Sequence, residues 1–154
     1  MTHVLLFLHL FSAFLFVSGT VAAGILQITA LRRERPSEIA LLLRTARTAV
    51  MLTALGALGA LVFGLALVGD EDIGYGTTWV SASIALWVAS VALGGAGGRT
   101  ARHARYLAER LAAEGDRPNE ELRKLVAHRR SLLLSYGATA AVVAILVLMV
   151  WRPN

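Results

Sequence analysis

Residues 48–69 read TAVMLTALGALGALVFGLALVG and contain no Lys, Arg, Asp or Glu. A helix needs about 20 apolar residues to cross the hydrocarbon core of a bilayer, and this stretch is long enough. Its two flanks carry charge of opposite sign, because Arg44 and Arg47 precede it and the acidic run 70–72 follows it. These residues predict a membrane-spanning helix whose ends face different sides of the membrane.

Three further stretches lack charged residues in the same way, namely 1–31, 73–98 and 131–151. The hydrophobic share of 56% and the mean hydropathy of +0.64 are typical of a chain whose solvent is lipid. Because four spans leave no room for a second domain, residues 1–154 are predicted to form one all-α, four-transmembrane-helix bundle. The predicted spans are about 4–31, 48–69, 76–98 and 131–151, and they are joined by loops 32–47, 70–75 and 99–130.

The basic residues indicate how the chain is threaded. All Lys and Arg residues except Arg152 lie in loops 32–47 and 99–130, whereas the link 70–75 is acidic. Cytoplasmic loops are enriched in Lys and Arg, so we predict that both basic loops are cytoplasmic and that both termini are external. The apolar run before Arg32 has no preceding positive charge, unlike a cleavable signal peptide, and is expected to remain as an anchor.

The net charge of +5 and the pI near 10.7 follow from the same distribution. Arginines at the inner ends of spans contact anionic lipid headgroups, so we expect the bilayer and anionic lipids of the cytoplasmic face as partners, and no nucleic acid.

Both basic loops are expected to be helical. Ser37 is placed to cap a helix that runs into span two. The loop 99–130 is rich in helix formers on both sides of a turn-like stretch at 115–119, which predicts a cytoplasmic helical hairpin between spans three and four.

Each span has one face suited to packing inside the bundle. Helices associate in lipid through small residues and through polar side chains that would otherwise face hydrocarbon. The small residues predicted to pack against other helices are Gly19, Gly56, Gly59, Ala60, Gly64, Gly94 and Gly97. The polar residues predicted to face the interior are His9, Ser12, Thr20, Gln27, Ser83, Ser90, Ser135 and Thr139.

His9 is the candidate ligand, because an ionisable side chain inside a span is a functional candidate by default. A neutral imidazole bonded to a carbonyl is the structural alternative. A membrane cytochrome usually places two axial histidines on facing helices, and the other histidines lie outside the spans or on another face of the first one. A haem b held by His9 alone, a site shared across a dimer and the absence of haem all remain open.

Other chemistries find little support. The spans contain no Asp or Glu, which argues against a carboxylate proton relay or cation pathway. There is no cysteine, and no nucleophile has a base and an orienting group at a plausible spacing. No catalytic or metal-ligating residue is therefore assigned, and an enzymatic activity is not favoured.

The opening LFLHLFSAFLFVSG, residues 6–19, resembles the LHxxxAxxxxxG start of DUF2269, a bacterial family of four-span membrane proteins. Thr78-Trp79-Val80 at the start of span three and LMVWRP at 148–153 are similar to further motifs of that family, so the resemblance covers essentially the whole chain. The opening is also similar to those of copper-resistance D proteins and of the J-type protoporphyrinogen oxidase, which is associated with haem. That similarity implies a role for His9 only, since the Lys of the J-type enzyme at the membrane edge has no counterpart in the spans.

Three functions follow as hypotheses for a protein of the bacterial cytoplasmic membrane. The leading one is a non-enzymatic structural or accessory subunit, or a small homo-oligomer, that assembles through its small-residue faces. The second is a haem-binding redox or porphyrin-handling protein with His9 as the axial ligand. The third is a metal or small-solute transporter, which predicts a polar cavity between spans one and three.

Overall fold

The computed structural model describes residues 1–70 and 74–151. Within them the chain is α-helical and has no strand, and four helical segments are long and apolar enough to cross a membrane. The predicted all-α, four-helix architecture is thus confirmed. The acidic residues Glu71 and Asp72 and the ending Arg152-Pro153 lie outside the described residues. The helices are α1 (Thr2–Leu31), α2 (Pro36–Asp70), α3 (Thr78–Ala113), α4 (Glu120–Val126) and α5 (Arg129–Trp151).

Two of the helices are longer than a bilayer requires. α2 has 35 residues and α3 has 36, so each is about 50 Å long at about 1.5 Å per residue. The hydrocarbon core is about 30 Å thick, so both helices continue past it into the basic segments. α2 begins at Pro36, a favoured first helical position because proline lacks the N–H that would be unpaired there.

The four long helices meet around one small apolar cluster near the middle of the bundle. It contains Phe16 of α1, Ala57 of α2 and Val142 of α5, all buried, with Trp87 of α3 packed against it. At the end of the bundle where α2 finishes, the Thr2 hydroxyl donates to the Asp70 carboxylate, and this bond joins the start of α1 to the end of α2. α1 and α2 are therefore antiparallel neighbours.

A second apolar core lies at the opposite end of the bundle, beside the arginine-rich segments 32–47 and 99–130, and we call this the basic end. It joins α1 and α2 to a helical hairpin made of the end of α3 and the short helix α4. Asn119 caps α4, since its side-chain oxygen accepts from the Leu122 N–H at 3.1 Å. The buried members of this basic-end core are Ala30, Ile39, Leu43, Ala104, Ala108, Leu122 and Val126.

The predicted hairpin between spans three and four is therefore present. That it faces the cytoplasm, and that both termini are external, stays a prediction.

Candidate functional site

His9 lies half-buried at the contact between α1 and α2. Its Nδ1 is 3.0 Å from the carbonyl oxygen of Ala60. A carbonyl oxygen only accepts hydrogen bonds, so Nδ1 carries a proton. When the imidazole is neutral, Nε2 keeps its lone pair, and this is the form in which a histidine binds a metal or accepts a proton.

Gly64 makes room for the His9 ring. A Cβ added to Gly64 would lie 3.0 Å from Cε1 and 3.1 Å from Nδ1 of His9, closer than ordinary van der Waals contact. A larger residue at position 64 would therefore press on the imidazole. The structure thus brings together His9, Ala60 and Gly64, three of the residues singled out from the sequence.

The next turn of the same contact is closer still. A Cβ on Gly56 would lie 2.7 Å from the carbonyl oxygen of Ser12 and would also collide with the backbone N of Phe16. One on Gly59 would collide with the Ser12 hydroxyl. Ser12 and Gly56 are both buried, so the two backbones approach each other directly at this level.

Gly19 extends this contact toward the basic end, where its added Cβ would lie 2.9 Å from the carbonyl oxygen of Ala49. We call this line of contact the α1–α2 seam. It comprises His9, Ser12 and Gly19 on α1 and Gly56, Gly59, Ala60 and Gly64 on α2.

The family model described as Predicted integral membrane protein (DUF2269) matches residues 3–153. The chain belongs to this family. The comparisons of this chain with the curated proteins and with the solved structures found no match. The similarity of the opening motif to copper-resistance D and J-type proteins stays a prediction for this DUF2269 protein.

The α3–α5 contact of this DUF2269 protein also involves a glycine. A Cβ on Gly97 would lie 3.1 Å from the Ser135 hydroxyl and 3.2 Å from the Ser131 carbonyl oxygen. The Ser131 hydroxyl donates to the Gly97 carbonyl at 2.8 Å. Gly94 is different, because it is exposed and its added Cβ would meet only the Ala138 Cβ, at an ordinary 3.9 Å.

Most of the other polar residues of the spans bond within their own helix. The hydroxyls of Thr20, Ser83 and Thr139 donate to the carbonyl four residues earlier, at 2.7, 2.7 and 3.1 Å. The buried Ser90 donates to the carbonyl three residues earlier, at 2.8 Å. Gln27 is half-buried on α1. Such local bonds remove the cost of a hydroxyl in lipid without joining two helices.

Trp87 forms an interhelical bond that sequence reasoning did not identify. Its indole Nε1 donates to the carbonyl oxygen of Ala57 at 3.0 Å, which ties α3 to α2 at the central cluster. The available signal was chemical, because an indole N–H inside a span needs an acceptor. Which carbonyl accepts depends on how the helices pack, and the sequence does not contain that information.

Asp116 forms a second unforeseen contact, between the turn of the hairpin and the start of α2. Its carboxylate accepts from the Ser37 hydroxyl and from the Ser37 backbone N–H, each at 2.7 Å. These two hydrogen bonds hold the pKa of the Asp116 carboxyl below its usual value, and the bond from the hydroxyl contributes more than the bond from the backbone N–H. Ser37 was expected to cap its own helix. Instead α2 begins at Pro36, one residue before Ser37. The carboxylate of Asp116, 79 positions along the chain, accepts the hydrogen bond of the Ser37 N–H in the first turn of the helix.

Two clefts lie at the basic end. One, of ≈ 480 Å³, is lined by the last turns of α1 at Ile25, Ile28, Thr29, Arg32 and Arg33. The other, of ≈ 280 Å³, lies between the α1–α2 connection and the hairpin. Arg33 borders both.

Proposed function

We propose that the protein is a non-enzymatic subunit of a membrane assembly, either a small homo-oligomer or an accessory subunit of a larger complex. It would lie in the bacterial cytoplasmic membrane with both termini external. The basic hairpin would then face the cytoplasm, where the inner leaflet is anionic.

The observation that supports assembly is a small-residue surface that the chain's own packing leaves open. Another helix of the chain packs closely against Gly19, Gly56, Gly59 and Gly97, so these glycines are not free to contact a partner. Gly95 and Gly98 of α3 have no atom within 4 Å of an added Cβ. Gly95 continues a line of exposed residues along one side of α3, and we call this line the outer α3 face. It consists of Ser81, Ala85, Val88, Ala92 and Gly95.

Lipid supplies the reason why such a face suits another helix. Hydrocarbon chains solvate Leu as well as a neighbouring protein does, so helix pairs gain most where small residues let the backbones approach. Ala85, Ala92 and Gly95 lie on one side of α3, since they are spaced by seven and three residues. A partner helix would gain close contact there without displacing any residue of this chain.

The test enlarges the outer α3 face and measures assembly. We expect the native protein in mild detergent to migrate as an oligomer or with a larger membrane protein, and Gly95→Leu to run as a monomer. Gly24→Leu is the matched control, because Gly24 also has no atom within 4 Å of its added Cβ but lies on α1. A wild-type protein that is strictly monomeric and unaccompanied would refute the proposal. Equal disruption by both variants would exclude the outer α3 face as the contact.

The second candidate function, haem or porphyrin binding, is favoured by the geometry of His9. The bond between Nδ1 and the Ala60 carbonyl orients the ring and leaves Nε2 as the ligand atom, and metal-binding histidines are held in the same way by a hydrogen bond from their other ring nitrogen. His9 is the residue that would hold the iron. A bound haem would supply one-electron chemistry, and the Ala60 carbonyl would raise the basicity of its ligand.

A visible spectrum separates this candidate from the first. If His9 binds haem, protein expressed with haem supplied shows a Soret band, and His9→Ala loses it. Added imidazole should restore the band in His9→Ala, which distinguishes a lost ligand from a lost fold. A colourless wild-type preparation under the same conditions refutes haem binding and leaves the assembly proposal untouched.

A further inference from the structure

The cleft of ≈ 480 Å³ along the last turns of α1 has an apolar wall, formed by Ile25 and Ile28, and a basic rim, formed by Arg32 and Arg33. Ile25, Ile28 and Thr29 lie on the same side of α1 as Arg32, because residues spaced by three, four and seven fall on one helix face. Ile25 is 59% exposed and Ile28 is 38% exposed, so both present apolar surface to the surroundings. The polarity changes from hydrocarbon-like to cationic within about 10 Å along the helix axis.

Backbone hydrogen bonds at the end of α1 fix the main chain of Arg32 and Arg33. The Arg32 N–H donates to the Thr29 carbonyl at 3.1 Å, and the Arg33 N–H donates to the Ala30 carbonyl at 3.2 Å. Both arginine backbones are therefore fixed to the last turn. The Arg33 guanidinium lies 3.6 Å from the Glu38 carboxylate, an exposed pair that contributes little by itself.

Among the residues that the structure describes, no carboxylate pairs with Arg32. In the part of the chain that the structure describes, the ion pairs are Arg33–Glu38, Arg105–Glu109 and Arg110–Glu114. Arg32 has no carboxylate partner among those residues and borders the cleft directly. An occupant that brings an anionic group at the level of Arg32 and an apolar part at the level of Ile25 would satisfy both ends.

We infer that this cleft binds one anionic glycerophospholipid. Its phosphate would contact Arg32 and Arg33, and the part of an acyl chain nearest the glycerol would lie against Ile25 and Ile28. The volume of ≈ 480 Å³ is within the range of about 300–1,000 Å³ typical of ligand pockets. A free phosphate would use the rim alone, whereas a phospholipid uses the rim and the wall together. The inference rests on the proposed contact between the basic end and anionic lipids, and it narrows that contact to one place on α1.

The experiment compares two double variants that remove the same charge. R32Q/R33Q removes the rim, and R99Q/R102Q removes two exposed arginines of α3 that lie just past the end of its predicted span and line neither cleft. Native mass spectrometry of the detergent-solubilised protein, titrated with dioleoyl phosphatidylglycerol at fixed ionic strength, counts bound lipids and measures the apparent Kd. Each arginine near a membrane surface is worth about 1 kcal/mol, so R32Q/R33Q should weaken the first binding step about thirtyfold. R99Q/R102Q should weaken it by less than about threefold.

Two further arms test the nature of the occupant. Ile25→Ser, which keeps both arginines, should weaken phosphatidylglycerol binding severalfold, and inorganic phosphate at the same concentration should not compete. Equal losses in the two arginine variants would overturn the discrete site while leaving a general attraction to anionic lipids. Competition by inorganic phosphate, equal binding of dioleoyl phosphatidylcholine, or no retained lipid in the wild type would each overturn the assignment.

Discussion

Replacing Gly56 by alanine should separate α1 from α2. The added Cβ would lie 2.7 Å from the Ser12 carbonyl oxygen and 2.9 Å from the Leu15 carbonyl carbon. Comfortable contacts between heavy atoms are about 3.5–4.0 Å, so α1 has to retreat by about 1 Å. The atoms in the way belong to the backbone of α1, and rotation of a side chain therefore cannot relieve the clash.

The magnitude follows from the contacts that such a retreat weakens. A gap of about 1 Å forfeits up to about half of the dispersion energy at the affected contacts, and core overpacking usually destabilises by about 1–3 kcal/mol. The bond from His9 to Ala60, one turn away, would also lengthen, and an interhelical bond in a membrane contributes about 0.6 kcal/mol. We expect Gly56→Ala to lower the free energy of unfolding by about 3 kcal/mol.

The assay is reversible unfolding in mixed micelles of a mild detergent and dodecyl sulfate, followed by circular dichroism. The control is Gly24→Ala, which adds the same methyl group to α1 at a position with no atom within 4 Å. Its unfolding free energy should stay within about 0.5 kcal/mol of wild type. If Gly56→Ala unfolds like the control, the two backbones do not meet at Gly56 and the reasoning about the seam is wrong.

Three further perturbations test other contacts. Lowering the pH through the depressed pKa of Asp116 should protonate its carboxylate and remove the stability that it contributes at higher pH, since a carboxyl with a lowered folded-state pKa stabilises above its unfolded value of about 4. Asp116→Asn should accordingly flatten the acid dependence of the hydrogen-exchange protection factor of the Ser37 amide. A protection factor that varies with pH as it does in the wild type would contradict this. Trp87→Phe should lose the bond to Ala57 and about 0.5–1.5 kcal/mol in the same micelle assay, with no effect if the indole bonds elsewhere. Leu122→Ala, at a side chain only 1% exposed, should destabilise the basic-end core by about 2–5 kcal/mol and speed proteolysis of the hairpin, whereas intact protease resistance would exclude that core.

Hydropathy and charge sufficed to predict the helical segments. Each of α1, α2, α3 and α5 contains most or all of one uncharged stretch, because a backbone in lipid has to satisfy its hydrogen bonds internally and a helix does so without a partner. The hairpin was also predictable, since strong helix formers flank a turn-like stretch that contains Gly115, whose φ of 127° favours glycine.

The glycines show where sequence reasoning stops. Gly56, Gly94 and Gly97 are alike in the sequence as small residues on the packing sides of spans, yet Gly56 meets the backbone of α1, Gly97 meets α5, and Gly94 is exposed. The hydroxyl residues differ in the same manner, because Ser131 joins α5 to α3 whereas Thr139 bonds within α5.

The physical reason is the range of the interactions. Whether a segment enters the membrane depends on its own transfer free energy, which is a sum over neighbouring residues and can be read from the sequence. Whether His9 bonds to Ala60, Trp87 to Ala57 or Asp116 to Ser37 depends on how two distant segments rotate and slide against each other. That choice is made by close packing over the whole bundle, and only the tertiary structure contains it.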